Sequence, residues 1–157
     1  MHCKIPEPKH PRLSKNPKFY SHKSNSAGLS YELALDLFES KLVWLKGPLP
    51  AGRPDLGIYQ SALRQMIPAG KKAITDGGYN DKKDPKLSQP NSHDTEALRT
   101  FKARARMRQE AFHSRLKRFH CITDNFRHGI ERHGVCFVAV SVICAYEMEL
   151  VSPMWSV

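Results

Sequence analysis

Residues 71–78 read KKAITDGG, and this stretch decides the fold class that the sequence predicts. Its apolar and β-branched residues end abruptly at two glycines, which is typical of a β-strand that runs into a turn. Asp76 therefore stands at the end of a strand. Glu110 follows 34 residues later, inside a basic segment with helical periodicity. Because a strand end and a later helix can meet at one edge of an α/β sheet, we expect the two carboxylates to lie together.

Two carboxylates at one sheet edge require a proton or a cation between them. At about 4 Å, two unit negative charges repel each other by roughly 4 kcal/mol when the effective dielectric constant is about 20. Magnesium prefers oxygen ligands and suits such a pair. The sequence therefore predicts that Asp76 and Glu110 hold a divalent cation such as Mg²⁺ between them.

The residues around both acids carry a family resemblance. Residues 74–79 read ITDGGY, and residues 108–119 read RQEAFHSRLKRF. Both segments resemble the DDE endonuclease domain of Harbinger/IS5-type transposases. The second aspartate of that family stands in an Asp-(small)-Gly-Tyr strand end, which matches Asp76 and Tyr79. Its glutamate stands seven residues before the lysine of a Leu-Lys-x-Phe helix end, which matches Glu110.

The resemblance covers nearly the whole chain. Residues 50–59, PAGRPDLGIY, are similar to a helix entry of that family, and residues 3–8, CKIPEP, are similar to the segment after its first strand. The first aspartate of the family stands in an Asp-Gly-Thr stretch a few residues upstream of that segment. Met1 and His2 occupy this place. The resemblance therefore implies a chain without the first catalytic acid.

The resemblance also implies a fold and a reaction. The fold is a ribonuclease-H-like α/β structure, with a mixed sheet and flanking helices, truncated at its N-terminus. The site is a two-metal site, in which three carboxylates hold Mg²⁺ or Mn²⁺ while DNA is cleaved and its strands are transferred. The resemblance implies that Asp76 and Glu110 are two of these catalytic acids and metal ligands. With one acid missing, we expect weak metal binding and no activity of this chain alone. The alternative is a non-catalytic DNA-binding or assembly protein, a domesticated or decaying transposase remnant.

The composition indicates the class of partner. The 157 residues suffice for one domain, and a net charge of +10 favours a polyanion such as DNA. An acidic membrane surface is the rival. The longest apolar run, residues 135–146, is shorter than the roughly 20 residues that span a bilayer, so no membrane is expected. The four cysteines show no paired motif and are interpreted as reduced.

These features also indicate a location. No charged and then apolar leader is visible, so we expect a protein that is not secreted. A nuclear location in a eukaryote, and otherwise a cytoplasmic one, agrees with DNA as the partner. No small-molecule cofactor is expected, and a homo-oligomer is left open.

The chain is expected to have three parts, which are a basic proline-rich extended arm (1–28), the partial endonuclease domain (29–150) and a loose tail (151–157). Alternation of apolar and polar residues predicts a strand over 29–37. A second strand over 41–45, ended by Gly47 and Pro48, completes an antiparallel hairpin.

Three segments between the hairpin and the C-terminus follow other patterns. Apolar residues spaced 3, 4 and 3 apart predict an amphipathic helix over 55–66, with Asp55 as its cap. Residues 80–93 hold few apolar side chains and are expected to form a long exposed loop. The almost uniformly apolar residues 134–150 predict a buried helix.

Residues 96–119 predict one long basic helix whose apolar face packs on the sheet. Its basic residues are expected to contact the phosphate backbone of DNA. They are Lys102, Arg104, Arg106, Arg108, Arg115, Lys117 and Arg118. Glu110 is the only acid between Arg99 and Arg118, and its plainer interpretation is an ion pair with Arg106.

Two further sites remain as alternatives. One is a zinc site formed by His120, Cys121, His128, His133 and Cys136. Imidazole and thiolate are usual zinc ligands, but this spacing fits no common zinc motif, and surface histidines beside buried cysteines are the favoured interpretation. The other alternative is Asp36 as a substitute for the missing acid. An acid that alternates on the polar face of a strand is usually only solvated.

Overall fold

The computed structural model describes residues 1–9, 11–79, 81 and 83–157, and it is a mixed α/β structure. The strands are His2–Lys4 (β1), Tyr20–Ser21 (β2), Ser26–Leu35 (β3), Leu42–Pro50 (β4), Ala73–Ile74 (β5) and Leu87–Ser88 (β6). The helices are Asp55–Ser61 (α1), Leu63–Met66 (α2), Glu96–Leu116 (α3), His120–Thr123 (α4) and Ile130–Tyr146 (α5). A π-helical turn, Glu147–Val151, continues α5.

The long strand β3 is the centre of a four-stranded sheet. It pairs antiparallel with β1, β2 and β4, and Leu33 lies opposite Leu45 in the β3–β4 pair. The predicted hairpin is therefore confirmed. Its second strand was expected to end at Gly47, but β4 continues to Pro50. The strand tolerates Pro48 because a strand at the edge of a sheet does not need every N–H group.

One face of α5 packs against the sheet. The ring of Tyr31 on β3 stacks on Phe137 with centroids 3.6 Å apart. At Gly134 a β-carbon would lie 3.0 Å from Pro48 Cδ, so the lack of a side chain there lets α5 approach β4 closely. Buried residues of β1, α3 and α4 complete the core, which contains Cys3, Leu29, Tyr31, Phe112, Leu116, Ile122, Phe137, Val140, Cys144 and Met148.

The predicted C-terminal helix is confirmed as a helix, but only one of its faces is buried. With the π-helical turn it spans Ile130–Val151, which is 22 residues, and its most apolar window of 18 residues has a mean hydropathy of 1.8. This helix is longer than the apolar run in the sequence. By length and composition alone it meets the requirement for crossing a membrane, and 33% of its most apolar window is buried within the protein.

The middle of the chain differs from the sequence expectation in two places. The single helix expected over 55–66 is wrong, because the backbone breaks at Ala62 (φ −153°) and gives α1 and α2. The expected loop over 80–93 includes positions 80 and 82, which lie outside the described residues. Elsewhere in it β6 pairs parallel with β5, and Asp84 is buried, so this segment is not uniformly exposed.

The basic helix α3 begins and packs as the sequence predicts. Thr95 caps it by accepting a hydrogen bond from the Leu98 N–H at 3.3 Å. Phe112 and Leu116 are fully buried in the core. The N-terminal arm differs from its expected surface position, because Cys3 and Ile5 are also buried. Pairing of β1 with β3 carries these two residues into the core.

Candidate functional site

Helix α3 presents one stripe of polar residues to a large open cleft. Arg106, Glu110, His113 and Lys117 recur at spacings of 4, 3 and 4 and border the cleft together. Asp76 borders the same cleft from the segment after β5. The two acids predicted from the sequence thus share one cleft, although no described contact joins them directly.

Asp55, which was expected only to cap a helix, lies beside Asp76 in the cleft. Asp76 Oδ1 accepts a hydrogen bond from the Gly78 N–H at 2.9 Å. A β-carbon on Gly78 would lie 3.1 Å from Asp76 Oδ1 and 3.6 Å from Asp55 Oδ2. Both carboxylates therefore border the same small volume. Asp55 was expected to cap α1, but no side-chain capping bond forms there, and Pro54 is the capping residue.

A third acid stands behind this pair. Glu32 on β3 is 5% exposed, and its Oε2 accepts a hydrogen bond from Trp44 Nε1 at 3.0 Å. Its Oε1 has no partner among the described residues. Burial raises the pKa of Glu32 above its ordinary value, although the hydrogen bond from Trp44 lowers it. Since alternation on a strand is the only sequence signal at Glu32, its place beside the cleft was not predictable.

The raised pKa of the Tyr79 hydroxyl shows that these three acids lie close together. Burial raises the pKa of the Tyr79 hydroxyl, and the negative charges of Glu32, Asp55 and Asp76 raise it further. The three carboxylates therefore lie close enough to Tyr79 to act on one phenol. Glu110, which stands on α3, is not among the charges that raise this pKa.

Glu110 is oriented by its own helix. Its side chain is 77% exposed, and its Oε2 lies 3.9 Å from His113 Nδ1. Gln109 Nε2 lies 3.1 Å from His113 Nε2 and donates to the Leu33 carbonyl at 3.3 Å. Burial lowers the pKa of His113 to about 4, and the Met1 amino group and Lys117 act in the same direction. The alternative pairing of Glu110 with Arg106 is not formed.

The number of carboxylates in the cleft determines how tightly a metal ion could be held there. Within the described residues, no group of three or more His, Cys, Asp or Glu side chains is assembled for a metal ion. Mg²⁺ usually keeps several waters and binds through one or two carboxylates together with substrate phosphates. Asp55 and Asp76, with Glu110 across the cleft, fit such a loosely held, water-rich ion and do not fit a closed site.

The alternative sites do not form. His133 is fully buried with its Nδ1 2.7 Å from Tyr31 Oη, and His120 lies beside Asp124 instead of the cysteines. The zinc set is therefore not brought together. Asp36 accepts hydrogen bonds from the backbone N–H groups of two residues of the following turn, which lower its pKa, so it is a turn residue and not a substitute catalytic acid.

Two of the expected phosphate contacts are buried, which corrects the sequence expectation for them. Arg108 is 2% exposed and donates to the backbone carbonyls of Asp36, Glu39 and Trp155. Lys102 is 6% exposed, and its ammonium group lies 2.9 Å from Asp94 Oδ2. The hydrogen bond from Lys102 lowers the pKa of Asp94. Both cations stabilise the fold because each satisfies acceptors from distant segments.

Other basic residues of α3 hold the C-terminal tail, which was expected to be loose. Arg104 donates to the Ser156 carbonyl at 2.6 Å, and Arg115 donates to the Ser152 carbonyl at 2.7 Å. Met154 is buried at the same place. A second helical stripe, formed by Arg104, Arg108 and Arg115, therefore holds the tail, although Arg108 also lines the cleft. Arg118 pairs with Glu147.

Arg106 and Lys117 remain for an external partner. Neither forms a side-chain hydrogen bond or an ion pair in the part of the chain that the structure describes, and both border the cleft. Cations on one wall attract phosphate, and the acids opposite attract a metal ion. No family model, no curated protein and no solved structure matches this chain. What the chain does must therefore follow from the acids and cations of its own cleft.

Proposed function

We propose that this chain is a partial DDE nuclease domain of the Harbinger/IS5 type with a ribonuclease-H-like fold, and that its cleft binds the DNA backbone and a divalent cation. One observation carries the proposal. Asp76, which follows β5, and Glu110, on α3, border the same cleft as Arg106 and Lys117, two cations without a side-chain partner among the described residues. Acid pairs beside free cations are what binding of a phosphodiester and its metal ion requires.

The order of the elements supports the fold part of the proposal. An antiparallel set of strands comes first, a short helical segment follows, and a strand then leads to the first of the two acids. The second acid stands on a long helix that packs on the core. This is the order in which the resembling family arranges its sheet and its acidic residues.

The roles of the residues follow from their positions. In the family that the sequence resembles, Mg²⁺ or Mn²⁺ activates water and then a 3′-hydroxyl for attack on phosphorus. In this chain Asp76 and Asp55 would hold the cation, and Glu110 on α3 would supply a further carboxylate. Arg106 and Lys117 hold the phosphates. With Asp76, Asp55 and Glu110 as its acids, we expect this chain alone to bind the metal weakly and to cleave inefficiently.

The second candidate is a non-catalytic DNA-binding or assembly protein. It is favoured by the finding that the described residues contain no assembled group of three metal-binding side chains. In this case the cations of the cleft act alone, and DNA binding is indifferent to the acids. In both cases DNA is the partner, which agrees with a nuclear location in a eukaryote and a cytoplasmic one otherwise.

A salt titration of DNA binding tests the proposal. Binding of duplex DNA by the wild-type chain should weaken steeply with salt, and Arg106→Gln and Lys117→Gln should each reduce the slope by about one unit. Arg127→Gln, an exposed arginine outside the cleft, is the matched control and should leave the slope unchanged. If both cleft variants bind like the wild type, the cleft is not the DNA site.

The metal dependence separates the two candidates. A metal-binding cleft should bind DNA more tightly in Mg²⁺, and Asp76→Asn should remove this gain. A non-catalytic protein should bind equally with Mg²⁺ or chelator. Strong Mg²⁺-dependent nicking that disappears in Asp76→Asn would contradict the inefficient cleavage that we propose.

A further inference from the structure

The exposed face of α5 is an apolar stripe without a partner. It consists of Val135, Val138, Ala139, Val142, Ile143 and Tyr146. Val135 is 71% exposed, Val142 is 61% exposed and Tyr146 is 64% exposed. The opposite face is buried, because Phe137, Cys144 and Met148 lie in the core. Contiguous exposed apolar surface of this kind marks an interaction site on most proteins.

We propose that this stripe joins two copies of the chain, which meet with their α5 helices antiparallel across a two-fold axis. An axis level with Val140 and Ser141 places Val138 of one copy opposite Ile143 of the other. It likewise places Val135 opposite Tyr146 and Ala139 opposite Val142. Every exposed residue of the stripe then faces another exposed residue, as an isologous contact requires.

The charges at the two ends of the stripe select this arrangement. Arg132 and Glu149 are both exposed and flank the stripe at opposite ends. In an antiparallel pair each Arg132 lies opposite the Glu149 of the other copy, and the axis makes this contact twice. A parallel pair would place Arg132 against Arg132 and Glu149 against Glu149. Opposite charges at the rim fix the register of an interface.

The centre of the stripe is unsuited to binding DNA because it carries no charged residue. No Lys, Arg, Asp or Glu occurs between Arg132 and Glu147, so this face offers nothing to the phosphates of DNA. The small side chain of Ala139 beside Val142 lets two helices approach to the usual 8–10 Å between axes. The helix with its π-helical turn is 22 residues long. Since an α-helix of that length spans about 33 Å, two such helices can lie side by side over the whole stripe.

A lipid surface fits the stripe less well than a second copy. Helices that lie on membranes carry Lys and Arg along their polar face. The other face of α5 instead carries the core residues Phe137, Cys144 and Met148, and its exposed ends include Glu131 and Glu149. Acidic ends are repelled by anionic lipid, whereas in a two-fold pair Glu149 meets Arg132.

Sedimentation equilibrium of the full chain, over a range of concentrations, tests the proposal. The wild type should dimerise reversibly. Val142→Glu should remain monomeric at concentrations where the wild type is dimeric, because it places a charge against Ala139 of the other copy. Val142 is exposed in the single chain, so circular dichroism should show an unchanged fold.

A charge exchange tests the antiparallel register. Arg132→Glu should weaken dimerisation by about tenfold, since two contacts change from attraction to repulsion. The double variant Arg132→Glu with Glu149→Arg should restore the wild-type affinity. Arg127→Glu makes the same change of charge outside the stripe and should have no effect.

Three results would overturn the proposal. These are a wild type that stays monomeric, a dimer that Val142→Glu leaves intact, and a double variant no tighter than Arg132→Glu. A monomer that floats with phosphatidylcholine vesicles, and loses this property in Val142→Glu, would assign the stripe to lipid instead. The Arg106 and Lys117 salt slopes are measured separately, so failure here leaves the DNA-binding proposal standing.

Discussion

Asp55 Oδ2 and Asp76 Oδ1 border one point beside Gly78, at 3.6 Å and 3.1 Å from the position that a β-carbon would occupy. The relationship brings the first turn of α1 against the turn that follows β5. A carboxylate outside the predicted acid pair thus belongs to the cleft. Carboxylates held this close favour a cation between them, because their mutual repulsion is relieved by it.

The first prediction concerns this pair. Asp55→Asn should lower the affinity of the chain for Mn²⁺ by about tenfold or more, since removing an oxygen charge at a metal site typically costs this much. Isothermal titration calorimetry on the full chain measures the effect. Asp124→Asn, which removes an exposed acid that does not line the cleft, is the control. Unchanged affinity in Asp55→Asn beside reduced affinity in Asp76→Asn would restrict the site to Asp76.

The second prediction separates the two stripes of α3. Arg108→Met should lower the free energy of unfolding by roughly 2–4 kcal/mol, because it removes charged hydrogen bonds to three backbone carbonyls in the interior. Arg106→Met, on the stripe that faces the cleft, should change it by less than about 0.5 kcal/mol. Urea unfolding followed by circular dichroism measures both. Equal losses in the two variants would contradict the structural role of Arg108.

The third prediction is a pH dependence to which His133 contributes, together with His113 and His2, whose pKa values burial also lowers. Burial lowers the pKa of His133 in the folded chain, whereas its ordinary value is near 6.5. Between the two values the unfolded chain binds more protons, so stability is complete above about pH 6.5 and declines as the pH falls through this window. Urea unfolding at several pH values should show this slope.

Replacement of His133 isolates its contribution. His133→Phe leaves the Tyr31 hydroxyl without its partner and should be less stable at neutral pH. Its stability should nevertheless decline less between pH 6.5 and acid conditions than that of the wild type. His93→Gln, at an exposed position, should keep the wild-type slope. A wild-type slope in His133→Phe would show that other groups cause the decline.

The fourth prediction compares two glycines. Gly47 has a φ of +145°, and a β-carbon there would collide with the ring of Tyr31. Gly47→Ala should therefore destabilise the chain by more than about 2 kcal/mol. Gly57 lies inside α1 with open space around it, so Gly57→Ala should stabilise the chain by up to about 1 kcal/mol. Thermal unfolding of the two variants tests whether the signs are opposite.

The elements that could be predicted are those whose signal is local. The β3–β4 hairpin, the strand that leads to Asp76 and the basic helix α3 all follow from periodicity, because period 2 and period 3.6 are set by backbone geometry. The break at Ala62 and the buried part of the 80–93 segment could not be predicted. Asp84, for example, is buried because Arg64 reaches it at 2.7 Å from another element.

The sequence by itself determined the order of the elements and the positions of Asp76 and Glu110 at a strand end and on a helix. Only the tertiary structure decided which charges face outward. Arg108 and Arg106 look alike in the sequence and both line the cleft, yet Arg108 bonds to carbonyls 47 and 69 residues away, while Arg106 forms no side-chain hydrogen bond with the described residues. A helix determines which residues share a face, but the distant segments that pack on each face determine whether those residues are buried or free.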